Sequence, residues 1–282
     1  MIIFKNVADL SAFVEKQAAL GKKIGFVPTM GALHQGHISL VEISKKETDV
    51  TISSIFLNPT QFNDKSDFDK YPVSTNEDIV MLEAAACDVL FLPSVTEIYP
   101  DGTDAMKVYD FGFLETVLEG AQRPGHFKGV GQVVSRLLNI VQPHVLFLGQ
   151  KDYQQCMVIT DLVRQMGLLN LKIRICPTFR EDDGLAMSSR NRRLTAPQRA
   201  LAPVIYQCLV SIATKQGDGD FGIVRKQCED LMTDKGFEVE YVSLSDANSL
   251  QPLNGYEPQR EMVALIAAKI GPIRLIDNMV IN

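Results

Sequence analysis

At 282 residues, with 46% hydrophobic and 22% charged side chains, the chain has a globular composition and room for one large or two ordinary domains. A net charge of −6 argues against a general nucleic-acid or membrane surface. No apolar run approaches the roughly 18 residues of a membrane span. Lys5, Asp9, Glu15 and Lys16 interrupt the apolar core a signal peptide would need. The cysteines Cys87, Cys156, Cys176, Cys208 and Cys228 are odd in number and widely spaced, with no C-x-x-C pair. That usage suits reduced thiols in a cytoplasmic protein, each a small core hydrophobe, rather than a disulfide framework or zinc site.

In chain order, residues 7–20 read as a helix with Val7, Leu10, Phe13 and Val14 on one face and Gly21 as its stop. Ile24 to Val27 suits a buried parallel strand, which Pro28 is expected to end. Then come Gly31, His34, Gly36 and His37, followed by apolar residues at helical spacing. Such a strand–turn–helix junction lies at the carboxyl edge of an α/β sheet, where free N–H groups and the helix dipole form an anion site. His34 and His37, three apart, share a face and suit contact with nucleotide phosphates. The alternatives are an ordinary pair at a helix start and, weaker, a metal site, which lacks an identifiable third and fourth ligand, since only His126 and His144 remain and do not repeat the spacing.

Val50 to Leu57 is the second strand, delivering Asn58 and Gln61 toward the same edge, with simple Asn-Pro turn chemistry as the alternative for Asn58. A polar loop to Pro72 follows. Ser74-Thr-Asn-Glu77 reads as a capping box opening a helix to about Ala86. Asp88 to Leu92 is a strand, and 93–127 is loop-rich with one short strand near Val108. There Arg123-Pro-Gly-His-Phe127 joins two cations to a turn, as a solvated loop or a closure over an anion. Gly129 to Val141 has helical spacing; Val130, Val133 and Val134 suit core or an apolar wall for a branched substrate.

Val145 to Leu148, then Gly149-Gln-Lys-Asp152 and a helix through Met166, repeat the opening design. Lys151 is a point charge suited to phosphate. Asp152 suits ribose hydroxyls or a helix N-terminus, and Gln155 lies one turn on. Leu171 to Ile175 is a further strand, and the alternation is that of a doubly wound parallel sheet. In Pro177 to Arg193, Ser188 and Ser189 beside Arg190 suit a phosphate clamp when paired with His34 and His37. Thr195-Ala-Pro-Gln198 caps a helix, a second follows near 221–235, and strands are expected at Val239–Leu244, Met262–Ala267 and Ile273–Ile276. Residues 185–282 thus form a small α+β domain that closes on the first.

His34-Gln-Gly-His37 matches the H-x-G-H signature of nucleotidylyltransferases and class I aminoacyl-tRNA synthetases, and Met187-Ser-Ser-Arg190 resembles the KMSKS-type loop that accompanies it. With Pro28-Thr-Met-Gly-Ala-Leu33 before it, the chain resembles the pantothenate synthetase family. The match continues in order through Ser54 to Phe62, Glu97 to Pro100, Arg123 to Phe127, Gly149 to Gln155, Met187 to Asn191 and Arg274 to Asn278. The resemblance implies a Rossmann-like doubly wound parallel sheet in an ATP- and pantoate-binding domain at 1–184, with a smaller α+β lid at 185–282. It implies ATP-dependent joining of (R)-pantoate and β-alanine to give pantothenate, AMP and pyrophosphate through a pantoyl adenylate, with Mg²⁺ on the phosphates and metal ligands unassigned. A cytoplasmic homodimer is expected. His37 takes the general-acid role, beside His34 and Lys151. Met30, Gly31, Ala32, Leu33, His34, Gln35, Gly36, His37, Gly149, Gln150, Lys151, Asp152, Thr178, Met187, Ser188, Ser189 and Arg190 fall on ATP contacts. Gln61 and Gln155 fall on pantoate contacts, Gln61 also near β-alanine, with Asn58 beside them. A nucleotidylyltransferase that leaves AMP in its product is the runner-up, and a non-enzymatic nucleotide-binding module is third.

Overall fold

The computed structural model describes residues 1–62, 68–103, 107–215 and 220–281. Part of the polar loop expected after Phe62, at 63–67, lies outside them. The chain packs as two units: Met1–Gly149 with Gln154–Cys176, and Gln150–Tyr153 with Pro177–Asn282.

The first unit is built on six parallel strands: β1 (Ile2–Phe4), β2 (Ile24–Thr29), β3 (Val50–Ile55), β4 (Val89–Phe91), β5 (Val145–Gly149) and β6 (Lys172–Cys176). Their order is β1-β4-β3-β2-β5-β6. The winding reverses between β2 and β5, which pair at Gly25↔Val145 and Phe26↔Leu146. In an open α/β sheet the crevice beyond the carboxyl ends of such a strand pair receives ligands.

Helices cover both faces. On one, α1 (Val7–Ala19), α6 (His126–Val141) and α7 (Tyr153–Gln165) bring Leu10, Leu138 and Leu162 against Phe26 and Ile52. On the other, α2 (Gln35–Glu47) and α3 (Thr75–Ala84) bring Ile38, Val41 and Leu82 against Val27, Leu90 and Phe147. Each such side chain, fully buried, contributes about 1.5–3 kcal/mol relative to exposure. β3 is buried at all six positions although it carries Thr51, Ser53 and Ser54. Its hydroxyls turn to neighbours: Thr51 Oγ1 lies 2.8 Å from Ser44 Oγ, and Ser53 Oγ donates to Val27 O at 3.1 Å.

Local expectations differ from the structure at four places. Pro28 does not end β2, which runs to Thr29; the β5 ladder stops at Phe26, so the N–H that proline lacks has no β5 partner to lose. Ser74 is the N-cap of α3 but its hydroxyl donates to Asp78 at 3.0 Å instead of accepting from the helix backbone. Residues 107–110 form no strand; the segment instead holds short helices α4 (Val95–Ile98) and α5 (Leu118–Gln122). The helix capped by Thr195 splits at Pro203 into α8 (Ala196–Leu201) and α9 (Val204–Thr214).

In the second unit, β7 (Phe237–Asp246), β8 (Met262–Ile270) and β9 (Ile273–Ile281) form an antiparallel sheet in that order. Leu209 and Ile212 of α9, with Val224 and Met232 of α10 (Phe221–Asp234), pack in one core with Val242, Leu244 and Ile266.

Candidate active site

The loop after β2 is held from beneath. Gly31 has φ +83°, and a Cβ there would lie 3.1 Å from both Asp78 Oδ2 and Ile55 Cγ2. Ala32 follows at φ 50°, a left-handed conformation costing a non-glycine residue about 1 kcal/mol or more. The buried Asp78 stabilises it, accepting Ala32 N–H at 2.9 Å and Leu33 N–H at 2.8 Å. This turn delivers His34 as the N-cap of α2.

His34 and His37 form a reciprocal cap. His34 Nδ1 accepts from Gly36 N–H at 3.2 Å, and His37 Nδ1 accepts from His34 N–H at 3.3 Å. The rings tilt by 44° with centroids 4.1 Å apart. With each Nδ1 accepting, a neutral ring carries its proton on Nε2, so both side chains become Nε2–H donors at the positive end of a helix. The two rings lie together at the helix start, as their spacing predicts, with His34 as the N-cap and His37 in the first turn.

The loop after β3 holds a second polar group. Asn58 is buried; its Nδ2 donates to Gln61 Oε1 and Gly129 O, both at 3.2 Å, and its Oδ1 accepts from Tyr99 OH at 2.7 Å. Burial pushes the Tyr99 phenol above its ordinary range, so it stays a donor. Gln61 donates to Met30 Sδ at 2.8 Å, which joins the loop after β3 to the loop after β2. Beneath it, His126 Nδ1 donates to Gln61 O at 2.8 Å and Arg123 Nη1 lies 3.2 Å from His126 Nε2. A carbonyl only accepts, which assigns the ring proton to Nδ1. His126 is thus a buried strut under Gln61 rather than part of a solvated loop. Gly129 lets helix α6 come this close: a Cβ there would meet Thr60 O at 2.3 Å and Gln61 Cα at 2.7 Å. Val130, Val133 and Val134, on the same helix, are buried in the core.

After β5 ends at Gly149, Gln150–Asp152 makes a 3-10 turn whose contacts belong to the second unit. Lys151 Nζ lies 3.7 Å from Asp152 Oδ1. Gln155 is half-buried in the first turn of α7. Its neighbour Gln154 is fully engaged with Glu119 N–H, Leu114 O and Val117 O.

Also in the second unit, residues 179–187 form a tight hairpin, with Met187 N–H donating to Phe179 O at 3.0 Å. Beside it the Thr178 hydroxyl is buried and makes no hydrogen bond among the described residues. Ser188 caps the short turn Ser189–Arg193, accepting from Arg190 N–H at 3.3 Å, and Ser189 is buried.

Local pattern does not single out Asp78, Tyr99 or the strut role of His126. Their partners lie 46, 41 and 65 residues away in sequence. His144, the remaining histidine, accepts Ile24 N–H on Nδ1 at 3.0 Å and serves the sheet.

Known proteins match this chain along nearly its whole length. The family model for pantoate-beta-alanine ligase matches residues 2–280. The pantothenate synthetase of Herpetosiphon aurantiacus is 48% identical over 261 residues, covering 92% of this chain and 93% of its own. That of Porphyromonas gingivalis strain W83 is 44% identical over 280 residues, covering 99% of each. Among solved structures, pantothenate synthetase from Thermus thermophilus superposes with a TM-score of 0.91 at 37% identity, over 99% of both chains. The pantoate-beta-alanine ligase of Francisella tularensis, complexed with beta-gamma ATP and beta-alanine, gives 0.83 at 40% identity, over 99% of this chain and 97% of that one.

Proposed function

The chain belongs to the pantoate–β-alanine ligase family, and from that premise we propose how its own residues carry the reaction. The reaction is the ATP-dependent condensation of (R)-pantoate with β-alanine to pantothenate, AMP and pyrophosphate. A pantoate carboxylate oxygen bonds to the α-phosphorus of ATP and pyrophosphate leaves. The neutral β-alanine amine then bonds to the acyl carbon of the adenylate, AMP leaves with the electrons of the broken C–O bond, and the nitrogen gives up one proton to solvent.

The reciprocal His34–His37 cap carries the site assignment. It aims two Nε2–H donors from a helix N-terminus, the arrangement that stabilises charge growing on phosphate oxygens. His37 Nε2–H donates to the phosphate oxygens with His34 its partner there, and to act as the general acid of adenylation the His37 ring takes up a second proton, its Nδ1 releasing the His34 N–H. Lys151 adds a point charge; Ser188, Ser189 and Arg190 clamp phosphate oxygens. The unpartnered Thr178 hydroxyl supports its place among the ATP contacts, where a buried donor gains an acceptor. Gln61 and Gln155 hold pantoate, neutral groups that grip hydroxyls without competing for the reacting carboxylate. Asn58 orients Gln61 from within the fold.

Mg²⁺ accompanies the triphosphate. Among the described residues no three His, Cys, Asp or Glu side chains gather as a metal cage. A cation carried by phosphate oxygens and water needs none. When bound it neutralises phosphate charge. The reading extends to a cytoplasmic homodimer; the five thiols, buried and in no disulfide among the described residues, are consistent with a reducing compartment, and sedimentation tests the dimer. Among the described residues no helix is long and apolar enough to cross a membrane.

Pyrophosphate exchange into ATP is the decisive assay. Exchange should require pantoate and not β-alanine, and His37→Ala should lower it ~10²–10⁴-fold while ATP still binds. Exchange that depends on β-alanine would exclude the adenylate order, and a folded His37→Ala variant with near-normal exchange would remove His37 from the chemistry.

A further inference from the structure

The run Arg274-Leu-Ile-Asp-Asn278 has no part in the chemistry above, yet its last residue is gripped by the turn that carries Lys151. Asn278, on β9, is 2% exposed. Its Nδ2 donates to two successive carbonyls, Gln150 O at 2.9 Å and Lys151 O at 2.8 Å. Its Oδ1 accepts from Gln150 Nε2 at 3.3 Å. One buried amide thus directs three hydrogen bonds at a single turn, all inside the second unit. We propose that Asn278 is a positioning residue for Lys151, fixing the backbone of the Gln150–Asp152 turn so that the lysine ammonium meets the transferring phosphate.

The residue type is specific to that task. Two neighbouring carbonyls need two donors on one short side chain, which Asn supplies. Asp would set a carboxylate oxygen against both carbonyls, and Leu would leave both without their donors. Asn278 is itself anchored. Its neighbour Asp277 is buried and takes a bidentate pair from Arg180, at 2.6 and 3.0 Å. Asp277 Oδ1 also accepts Asn278 N–H at 2.8 Å, and Arg180 Nη2 donates to Asn278 O at 3.3 Å. The Arg180 guanidinium rests on the Tyr206 ring at 4.4 Å. A second tether reaches the turn's end, where Tyr153 OH donates to Ala247 O at 2.7 Å. Among the described residues the Lys151 ammonium makes a long ion pair, 3.7 Å, with Asp152 and also interacts with the buried Asp277 carboxylate. Both are weaker restraints than a hydrogen bond, so the backbone that Asn278 holds sets where the lysine side chain starts.

The proposal rests on the assignment of Lys151 to phosphate, and a double-mutant cycle separates the two. The full-length protein and the variants Asn278→Ala, Lys151→Ala and the double mutant are compared by pantoate-dependent pyrophosphate exchange. A displacement of order 1 Å costs about 10²-fold in rate. Asn278→Ala should lower exchange by about that factor while ATP affinity, read by calorimetry, stays within a few-fold. In the Lys151→Ala background, removing Asn278 should cost little more, because the group it positions is already gone. Multiplicative losses would overturn the proposal by showing that Asn278 acts on the fold at large. Normal exchange in Asn278→Ala would overturn it directly. Normal exchange in Lys151→Ala would sink the Lys151 assignment and with it this inference, an outcome distinct from multiplicative losses. If Asn278→Ala does not fold, Asn278→Ser, which keeps one donor, enters the same cycle. Hydrogen exchange by mass spectrometry gives a readout besides activity. Peptides over 149–156 should lose protection in the variant while β7 to β9 keep theirs; equal loss in both would overturn the proposal.

Discussion

Gly129→Ala sets two effects of opposite sign against each other. Gly129 lies inside α6, so a methyl group should favour the helix by about 1 kcal/mol. That methyl carbon, however, would sit 2.3 Å from Thr60 O, 2.5 Å from Thr60 C and 2.7 Å from Gln61 Cα. Ordinary contact begins near 3.4 Å, so the gap must open by about 1 Å. Every one of these neighbours is backbone, and no flexible side chain can swing away. Overpacking of this kind costs about 1–3 kcal/mol, which leaves a net loss of about 0–2 kcal/mol after the helix gain. For a chain of this size that is a fall of a few degrees in Tm. The consequence for function is larger. The residues pushed are those that place the Gln61 side chain, and about 1 Å of misplacement costs ~10²-fold. We expect kcat/KM for pantoate to fall by about that factor, with KM for ATP nearly unchanged and the protein still folded. Steady-state kinetics with each substrate varied, beside a thermal melt, decides it. A variant with normal pantoate kinetics and a raised Tm would refute both the clash and the role given to Gln61.

Asp78→Asn should destabilise the protein by about 1–3 kcal/mol in urea titrations and also lower pyrophosphate exchange, because an amide cannot accept from Ala32 N–H, Leu33 N–H and Ser74 OH together. Unchanged exchange would mean that the loop before His34 holds its shape without the carboxylate. Thr178→Val should leave the Tm unchanged or slightly raised, since the hydroxyl has no partner to lose, and should raise KM for ATP; an unaffected KM removes Thr178 from the nucleotide contacts. Burial pushes the Cys87 thiol up to about 11 from 9.0, so the folded chain holds that proton more tightly than the unfolded chain. Its contribution is fully present below pH 9 and is lost as pH rises toward 11, at most about 3 kcal/mol, so the stability gap between wild type and Cys87→Ala should narrow over that window.

What the sequence made legible follows the range of the signal. Two parallel strands announce themselves because both faces of Ile24–Val27 and Val145–Leu148 are covered, so each reads as an apolar run, whereas Val50–Ile55, equally buried but carrying Thr51, Ser53 and Ser54, shows itself by its β-branched residues. The Thr195–Gln198 capping box forms as its spacing implies, since every atom involved lies within four residues. Ser74–Glu77 has the same local form and does not close. A distant demand overrides it: Asp78 is needed by Ala32 and Leu33, and the Ser74 hydroxyl turns to help hold that carboxylate.

The same logic separates the groups that face substrate in our reading from those that support them. His34 and His37 are conspicuous because a histidine pair at a glycine-flanked helix start has a local reason to be there. His126 and Asn278 have none that a local pattern reveals, and Asn58 has only the Asn-Pro turn it caps by accepting Thr60 N–H; each is a polar side chain taken almost wholly out of water. Burying such groups is unfavourable unless their hydrogen bonds are met, and theirs are met by backbone far along the chain. Each of these bonds lands on the main chain at or against a turn that carries a proposed contact residue: Gly129 O beneath Gln61, Gln61 O itself, and the two carbonyls, Gln150 O and Lys151 O, that flank the Lys151 Cα. A bond to the main chain fixes where a side chain starts while leaving its tip available for substrate. That is the arrangement expected where geometry, rather than unusual reactivity of any one group, has to do most of the work of adenylation.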